Sequence, residues 1–295
     1  MANTFNAGTH REEYEIMLQK RLNKPTCWSE VCDVKYSNNY IINWPYMSTE
    51  FSAQSGTRGT AFGWSDFALT NDTVTISSEA IVPVFVDWAD WAQIQYNNKV
   101  EIGTRQGAKI SEQLESVFLA THASWTNFGD TGGGALGLAD TSFAGSTSNI
   151  DDIVSGVLRE IRVANGAELA EANGVAFVWT PPLFEKLEQY LRASGFNLAD
   201  SLLRDGIPMG VKGYKALGAY HYVSNSHAAG GHIFAGVRKI VRLGILRDTY
   251  GRLYTNENPA DGNGTLSGIG MHNRVDYGTQ VPGGYTTLVY DVRVT

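Results

Sequence analysis

The sequence has few charged residues and almost no cysteine. Charged side chains make up 18% of the 295 residues, below the roughly 25% that is usual for soluble domains. The net charge is -7, from 23 basic and 30 acidic residues. Cys27 and Cys32 are the two cysteines, too few for a disulfide framework, so we expect two reduced structural thiols. A surface with so little charge suggests that partner subunits or carbohydrate cover part of it.

Long apolar runs and familiar catalytic motifs are also lacking. The longest apolar run, Ala80–Val86, is too short to span a bilayer. The first residues contain no basic stretch followed by an apolar core, so we expect no secretory signal. There is no G-x-S-x-G elbow, P-loop or H-E-x-x-H motif, and we therefore predict no catalytic, cofactor or metal site. The apolar residues, 43% of the chain, suffice for one large domain or two lobes.

One segment alternates between apolar and polar residues over an unusual length. In Val74–Trp88 every even position except Ser78 is apolar, which is the period-two pattern of a strand. We expect one strand of about fifteen residues, where five or six is usual. Pro83 cannot donate a ladder hydrogen bond, which favours an edge strand. A long edge strand after the irregular stretch 25–72 predicts a projecting arm that a partner covers.

Helical and strand patterns share the rest of the chain. An apolar stripe predicts a long helix at 99–121, and another predicts a helix from Ile150. A short buried strand, Val175–Trp179, precedes a helix that begins with two prolines. Further strands are predicted at Tyr214–Val223, Ile233–Leu246, Leu266–Val275 and Thr286–Val294. The predicted fold class is therefore α+β.

Three histidines lie close together in the sequence, around a predicted turn. A metal site at His221, His227 and His232 would require a carboxylate or thiolate partner. None stands nearby in the sequence. We therefore interpret these residues as surface or strand histidines.

A pair of carboxylates accompanied by tryptophans follows the alternating segment. Asp87 and Asp90 alternate with Trp88 and Trp91, which could form an acid and base pair on a sugar-binding groove. The preferred interpretation is a turn at the strand end, with both indoles packed inward. A carbohydrate-binding or carbohydrate-active protein stays open as an alternative from another functional class.

Charge is segregated along the chain. Residues 36–98 contain six acidic residues and one basic residue, whereas 204–254 contain eight basic and two acidic ones. Opposite charges on separate segments are consistent with two solvated faces of one molecule, or with head-to-tail self-association, which builds rings or larger assemblies. The basic segment lacks a tight cluster, so we expect any contact with nucleic acid to be weak and independent of sequence.

The order of these elements resembles that of the major capsid proteins of tailed bacteriophages, with the Hong Kong 97-type fold. The resemblance rests on Val82-Pro-Val-Phe-Val-Asp-Trp-Ala-Asp-Trp-Ala-Gln93, on the long helix after it, and on Gly206-Ile-Pro-Met-Gly-Val-Lys-Gly-Tyr214. It covers about residues 5–295. It implies an N-terminal arm at 1–40, an extended loop at 41–88, a peripheral domain at 89–148 and 226–295 with a spine helix at 99–121, and an axial domain at 149–225.

The function that this resemblance implies is structural. Pentamers and hexamers of the chain would close into an icosahedral shell around viral double-stranded DNA, assembled in the host cytoplasm. Separate scaffolding, portal and decoration proteins are possible partners, and no membrane is involved. A cleaved N-terminal scaffolding segment is not expected. Since no lysine lies between Lys35 and Lys99, we expect no covalent crosslink from the loop. An encapsulin-like protein container is the alternative within the same fold.

From the predicted arm and the segregation of charge, we predict a set of residues that make contacts between subunits. These candidates combine residues of the loop with basic residues of the C-terminal half. They are Arg58, Trp64, Asp66, Phe67, Asp72, Glu79, Arg238, Lys239, Arg242 and Arg247.

Overall fold

A long helix and two sheets organise the chain. The computed structural model describes residues 24–47, 53, 55–59, 63–64, 66, 68–87, 98–128, 150–193, 213–228, 231–257 and 268–293. The helices are α1 (Trp28–Val31), α2 (Asn98–Ala120), α3 (Ile150–Val163), α4 (Ala167–Asn173) and α5 (Pro181–Ala193). The strands are β1 (Asp33–Ser37), β2 (Ile41–Met47), β3 (Leu69–Thr75), β4 (Ser78–Asp87), β5 (Thr126–Phe128), β6 (Val175–Trp179), β7 (Gly213–Ala216), β8 (Ala219–Val223), β9 (His232–Val237), β10 (Arg242–Leu246), β11 (Leu253–Glu257), β12 (Gly268–Gln280) and β13 (Val289–Arg293). The predicted α+β class is confirmed.

The two sheets draw on distant parts of the chain. In the five-stranded sheet the order is β1-β10-β12-β11, and β4 also pairs with β12. The six-stranded sheet has the order β5-β13-β9-β6-β8-β7. Strands β2 and β3 form a separate antiparallel hairpin. One continuous apolar core joins the two sheets, and Trp179, Phe118 and Phe234 are among its largest fully buried side chains.

The alternating segment forms two strands rather than one. The expected single strand at Val74–Trp88 is wrong in this respect, because Ile76 and Ser77 separate β3 from β4. The chain changes sheets at this point, since β3 pairs with β2 and β4 pairs with β12. The alternation persists through the break, with Val74, Ile76 and Ala80 buried. Pro83 lies in β4, which pairs with β12 on one side in the described part of the chain, so the edge assignment is confirmed.

Other predicted elements are confirmed or divided. The long helix, the helix at Ile150, the buried strand β6 and the helix after it are all present. Tyr214–Val223 is a hairpin with a turn at Leu217 and Gly218. Ile233–Leu246 is two strands in different sheets, β9 and β10, separated by a turn in which Lys239 has a φ of 63°. A 3₁₀ turn, Gly283–Leu288, replaces the start of the last predicted strand.

The residues before β1 are bound along helix α2 by a buried carboxylate. Glu115 accepts hydrogen bonds from the backbone N–H groups of Cys27 (3.0 Å) and Trp28 (2.8 Å) and from the Cys27 thiol. Burial raises the pKa of Glu115 and, together with the nearby Glu115, that of Cys27. Cys27 and Cys32 are buried free thiols. On the neighbouring part of α2, Gln106 donates to carbonyls of β4 and β12, so α2 ties residues 24–32 to the five-stranded sheet.

Candidate assembly surfaces

The hairpin of β2 and β3 flanks the irregular segment 48–68 in the sequence. Its strands pair from Ile41 with Thr75 to Met47 with Leu69, and the segment leaves and returns at this last pair. Leu69 is 68% exposed and Ile41 is 58% exposed. Large apolar side chains at such exposure on a hairpin mark a surface that a partner can bury.

The base of the hairpin packs tightly on the five-stranded sheet. Ile42 and Ile76 form a small buried cluster with Leu246 of β10, and Trp44 packs against it. Gly244 of β10 lies directly beneath, where an added Cβ would come within 2.9 Å of the Ile42 side chain. The absent side chain at this position allows the close approach, so this end of the hairpin is held against the sheet.

An ion pair fixes the same junction. Arg242 Nη1 lies 3.0 Å from Asp72 Oδ2, with both side chains largely buried. The Arg242 guanidinium also lies over the Trp44 ring, 5.0 Å from its centroid, and the Trp44 indole N–H donates to Asp33 at 3.1 Å. Asp72 and Arg242, both candidates for contacts between subunits, are therefore bound to each other within one chain. Part of the complementary charge seen in the sequence acts inside the subunit.

Three further candidates also have partners in their own chain. Glu79 pairs with Arg274 at 3.0 Å on the surface. Arg238 donates to the Glu30 carbonyl. Lys239 donates to the carbonyls of Ser29 and Cys32, and burial lowers its pKa. Their role between subunits stays a prediction.

The remaining candidates are exposed or lie outside the described residues. Arg58, Trp64 and Asp66 are exposed in the segment beyond the hairpin, with Trp64 89% exposed. Arg247 is exposed in the turn after β10. Phe67 lies outside the described residues. An indole at this exposure is the largest apolar surface that the described segment offers to a partner.

Sequence reasoning missed an apolar strip on the outer face of β4. Ile81 is 44% exposed and Phe85 is 38% exposed, and Pro83 between them is also exposed. All three occupy odd positions, opposite the buried even face. The same period-two pattern that located the strand contained this signal, because apolar residues occupy both faces from Ala80 onward.

A cluster of two histidines and an aspartate joins three elements. The rings of His122 and His232 stack with centroids 3.9 Å apart, and His232 Nδ1 lies 2.7 Å from Asp291 Oδ2. The expectation that no carboxylate lies near these histidines is wrong for His232. Pairing of β13 with β9 brings Asp291 there from 59 residues away. Burial and the neighbouring His232 lower the pKa of His122.

The other histidines of that group are structural. His221 is fully buried in β8, and its Nδ1 accepts a hydrogen bond from the Trp179 indole N–H at 2.9 Å. Its Nε2 lies 3.0 Å from the Ala216 carbonyl. Burial lowers the pKa of His221 to about 4, and also lowers that of His227. The interpretation as a strand histidine is confirmed for His221.

The candidate sugar-binding pair lies largely outside the described residues. Asp87 ends β4, where it pairs with Gly268. Trp88, Asp90 and Trp91 lie outside the described residues. Among the described helices, none is long and apolar enough to cross a membrane.

Comparison with solved structures decides the fold. A structure titled as the capsid of a native GTA particle matches with a TM-score of 0.66 at 14% identity, covering 98% of this chain and 96% of the other. A Gordonia phage Cozz structure matches with a TM-score of 0.64 at 13% identity, covering 98% of this chain and 92% of the other. A Mycobacterium phage Che8 structure matches with a TM-score of 0.62 at 17% identity, covering 97% of this chain and 98% of the other. This chain has a phage capsid fold. The capsid fold extends over nearly the whole length, although no family model and no curated protein matches the sequence.

Proposed function

We propose that this chain is a major capsid protein, which assembles into pentamers and hexamers of an icosahedral shell around viral double-stranded DNA. The observation that carries the proposal is the match to capsid structures over 97–98% of the chain. A likeness that spans 97–98% of this chain and 96–98% of those chains supports a role like theirs for the whole chain rather than for one part of it. The role is structural rather than enzymatic.

In this proposal different segments of the chain have different roles in assembly. Residues 1–40 act as an N-terminal arm and 41–88 as an extended loop over a neighbouring subunit. The peripheral domain comprises 89–148 and 226–295 with its spine helix, and 149–225 form the axial domain at capsomer centres. The packed base of the hairpin supports this division, because it anchors one end of segment 41–88 on the five-stranded sheet while Leu69 at the other end of the hairpin is exposed.

Contacts between subunits would combine apolar burial with charge. The exposed Trp64, with Arg58 and Asp66 beside it, would lie on a neighbour, and Arg247 offers positive charge in the C-terminal half. The apolar strip of Ile81 and Phe85 would be covered in the same way. Burial of an exposed aromatic side chain contributes about 2–3 kcal/mol, and this contribution is repeated at every subunit of a shell.

The location and partners follow from the same role. The protein would reside in the virion after assembly in the host cytoplasm, with separate scaffolding, portal or decoration proteins as partners. Packaged DNA would meet the shell without sequence preference. Nuclease-protected DNA in particles from the native source would support this, whereas protein cargo would favour the container alternative.

Replacing the loop tests the assembly mechanism. Because Met47 and Leu69 face each other in the hairpin, residues 48–68 can be replaced by an Asn-Gly turn, which closes a two-residue hairpin. We expect a folded chain with unchanged circular dichroism that forms at most isolated capsomers. Particle yield is measured by sedimentation and electron microscopy.

Two controls sharpen this experiment. A variant with a Gly/Ser linker of the original length in place of 48–68 separates loop length from side-chain contacts, and we expect it to fail as well. Trp64→Ser alone should reduce the yield of closed shells at least several-fold. Closed shells in normal yield from the Asn-Gly variant would contradict the proposed loop overlap.

A further inference from the structure

Three metal-ligating side chains meet at the junction of α2 with the six-stranded sheet. His122 lies in the 3₁₀ turn that follows α2, His232 begins β9, and Asp291 lies in β13. One donor atom from each lies within 4.8 Å of the other two. We propose that His122, His232 and Asp291 bind a divalent transition-metal ion of the zinc class. This site is independent of the proposed shell function.

The carboxylate of the cluster has an unsatisfied oxygen atom. The Asp291 side chain is 5% exposed, and its Oδ2 lies 2.7 Å from His232 Nδ1. Its other oxygen, Oδ1, is buried and has no hydrogen-bond partner within the described part of the chain. A buried carboxylate oxygen without a partner is costly, and a cation bound by the carboxylate removes that cost.

The stacked histidines provide neutral nitrogen donors. Their rings lie 3.9 Å apart with an interplanar angle of 18°, an arrangement in which two imidazolium cations would repel each other. Neutral imidazole is the form that binds metals. Two histidines and one aspartate are a donor set that zinc uses, with a water molecule in the fourth position. Zinc–nitrogen bonds of about 2.0 Å place the donor atoms of a tetrahedral site roughly 3.3 Å apart. His232 Nδ1 and Asp291 Oδ2 lie 2.7 Å apart, so metal binding requires small shifts of these side chains and replaces the hydrogen bond between them.

The surroundings favour such shifts. His122 is partly buried and lies in a short turn outside the two sheets, so a small movement of its side chain leaves the strand pairing intact. Trp125 packs edge-on beside it at 6.4 Å and shields the cluster on one side. A bound ion would link positions 122, 232 and 291, which are far apart in the sequence. Such a link stabilises a chain by restricting its unfolded state and by binding only the folded form.

Metal titration of the purified full-length chain, without a histidine tag, tests the site. Cobalt(II) serves as the spectroscopic probe, and we expect one equivalent to give the visible absorption of tetrahedral cobalt. Zinc(II) should displace it. In thermal unfolding, the midpoint should rise with the logarithm of free zinc concentration and should fall on addition of EDTA.

Substitutions of the proposed ligands test whether the metal binds at this cluster. His122→Gln changes a half-exposed side chain and should fold normally, yet lose at least tenfold in zinc affinity; Asp291→Asn should lose more. His272→Gln is the matched control, since His272 stacks on Tyr254 in the five-stranded sheet. Absence of cobalt absorption, an unfolding midpoint that ignores zinc and EDTA, or equal loss in the His272→Gln variant would each overturn the proposal.

Discussion

The buried His221 makes the folded chain sensitive to acid. Its Nδ1 accepts from Trp179 and its Nε2 contacts the Ala216 carbonyl, so both nitrogens are used by the neutral ring. A proton added to Nδ1 would point at the Trp179 N–H, and the hydrogen bond between the two groups would be lost. The pKa of His221 is therefore lowered from 6.5 to about 4 in the folded chain, chiefly by burial.

The lowered pKa of His221 sets how much stability the folded chain loses on acidification. Above pH 6.5 the ring is neutral in both the folded and unfolded states, and its contribution to stability is fully present. As pH falls below 6.5 the unfolded chain takes up a proton that the folded chain does not, so stability is lost until about pH 4. Between pH 7 and pH 4.5 the loss from this group is about 2 kcal/mol.

A non-titrating variant isolates this contribution. The free energy of unfolding is measured by urea denaturation at pH 7 and at pH 4.5 for the wild type and for His221→Gln, at one protein concentration. The variant is expected to be less stable at pH 7, yet to lose about 2 kcal/mol less on acidification. Other titrating groups, including His227, are common to both proteins and cancel. An identical pH dependence in the two proteins would refute the reasoning.

Two further predictions concern the junction between the hairpin and the five-stranded sheet. Gly278→Ala should lower stability by about 1–3 kcal/mol in thermal or urea unfolding, because the new Cβ would overlap the Thr75 carbonyl; an unchanged midpoint would contradict this close approach. Arg242→Met should cost about 1–3 kcal/mol by leaving Asp72 largely buried and unpaired. Combining it with Asp72→Asn should recover part of the loss, and strictly additive effects would contradict the pairing.

Local patterns predicted the helices well. The stripe that includes Ile110, Leu114 and Phe118 places these residues on one face of α2, and all three are buried. In α5, the helix predicted to begin with two prolines, Leu183 and Leu187 are likewise spaced by four residues and buried. Such stripes depend only on the helical period, which the sequence contains directly. The edge strand β4 could also be predicted, because alternation and the position of Pro83 are local properties.

Local patterns could not predict which sheet a strand joins or which distant side chains come into contact. The strands β9 and β10 are buried on both faces, so no hydrophobic period distinguishes the strand of one sheet from that of the other. The meeting of His232 with Asp291 depends on pairing between distant strands. Opposite charges were expected to meet, but the sequence alone does not tell whether Arg242 finds Asp72 in its own chain or in a neighbour.

The central claim is that this chain builds a closed shell. Its most direct test is electron microscopy of the purified full-length protein at high concentration, alone and with a crowding agent, with light scattering on the same samples. The account predicts rings of five or six subunits and shells of uniform curvature. A protein that forms a discrete oligomer of another symmetry, with neither rings of five or six subunits nor shells, would contradict it.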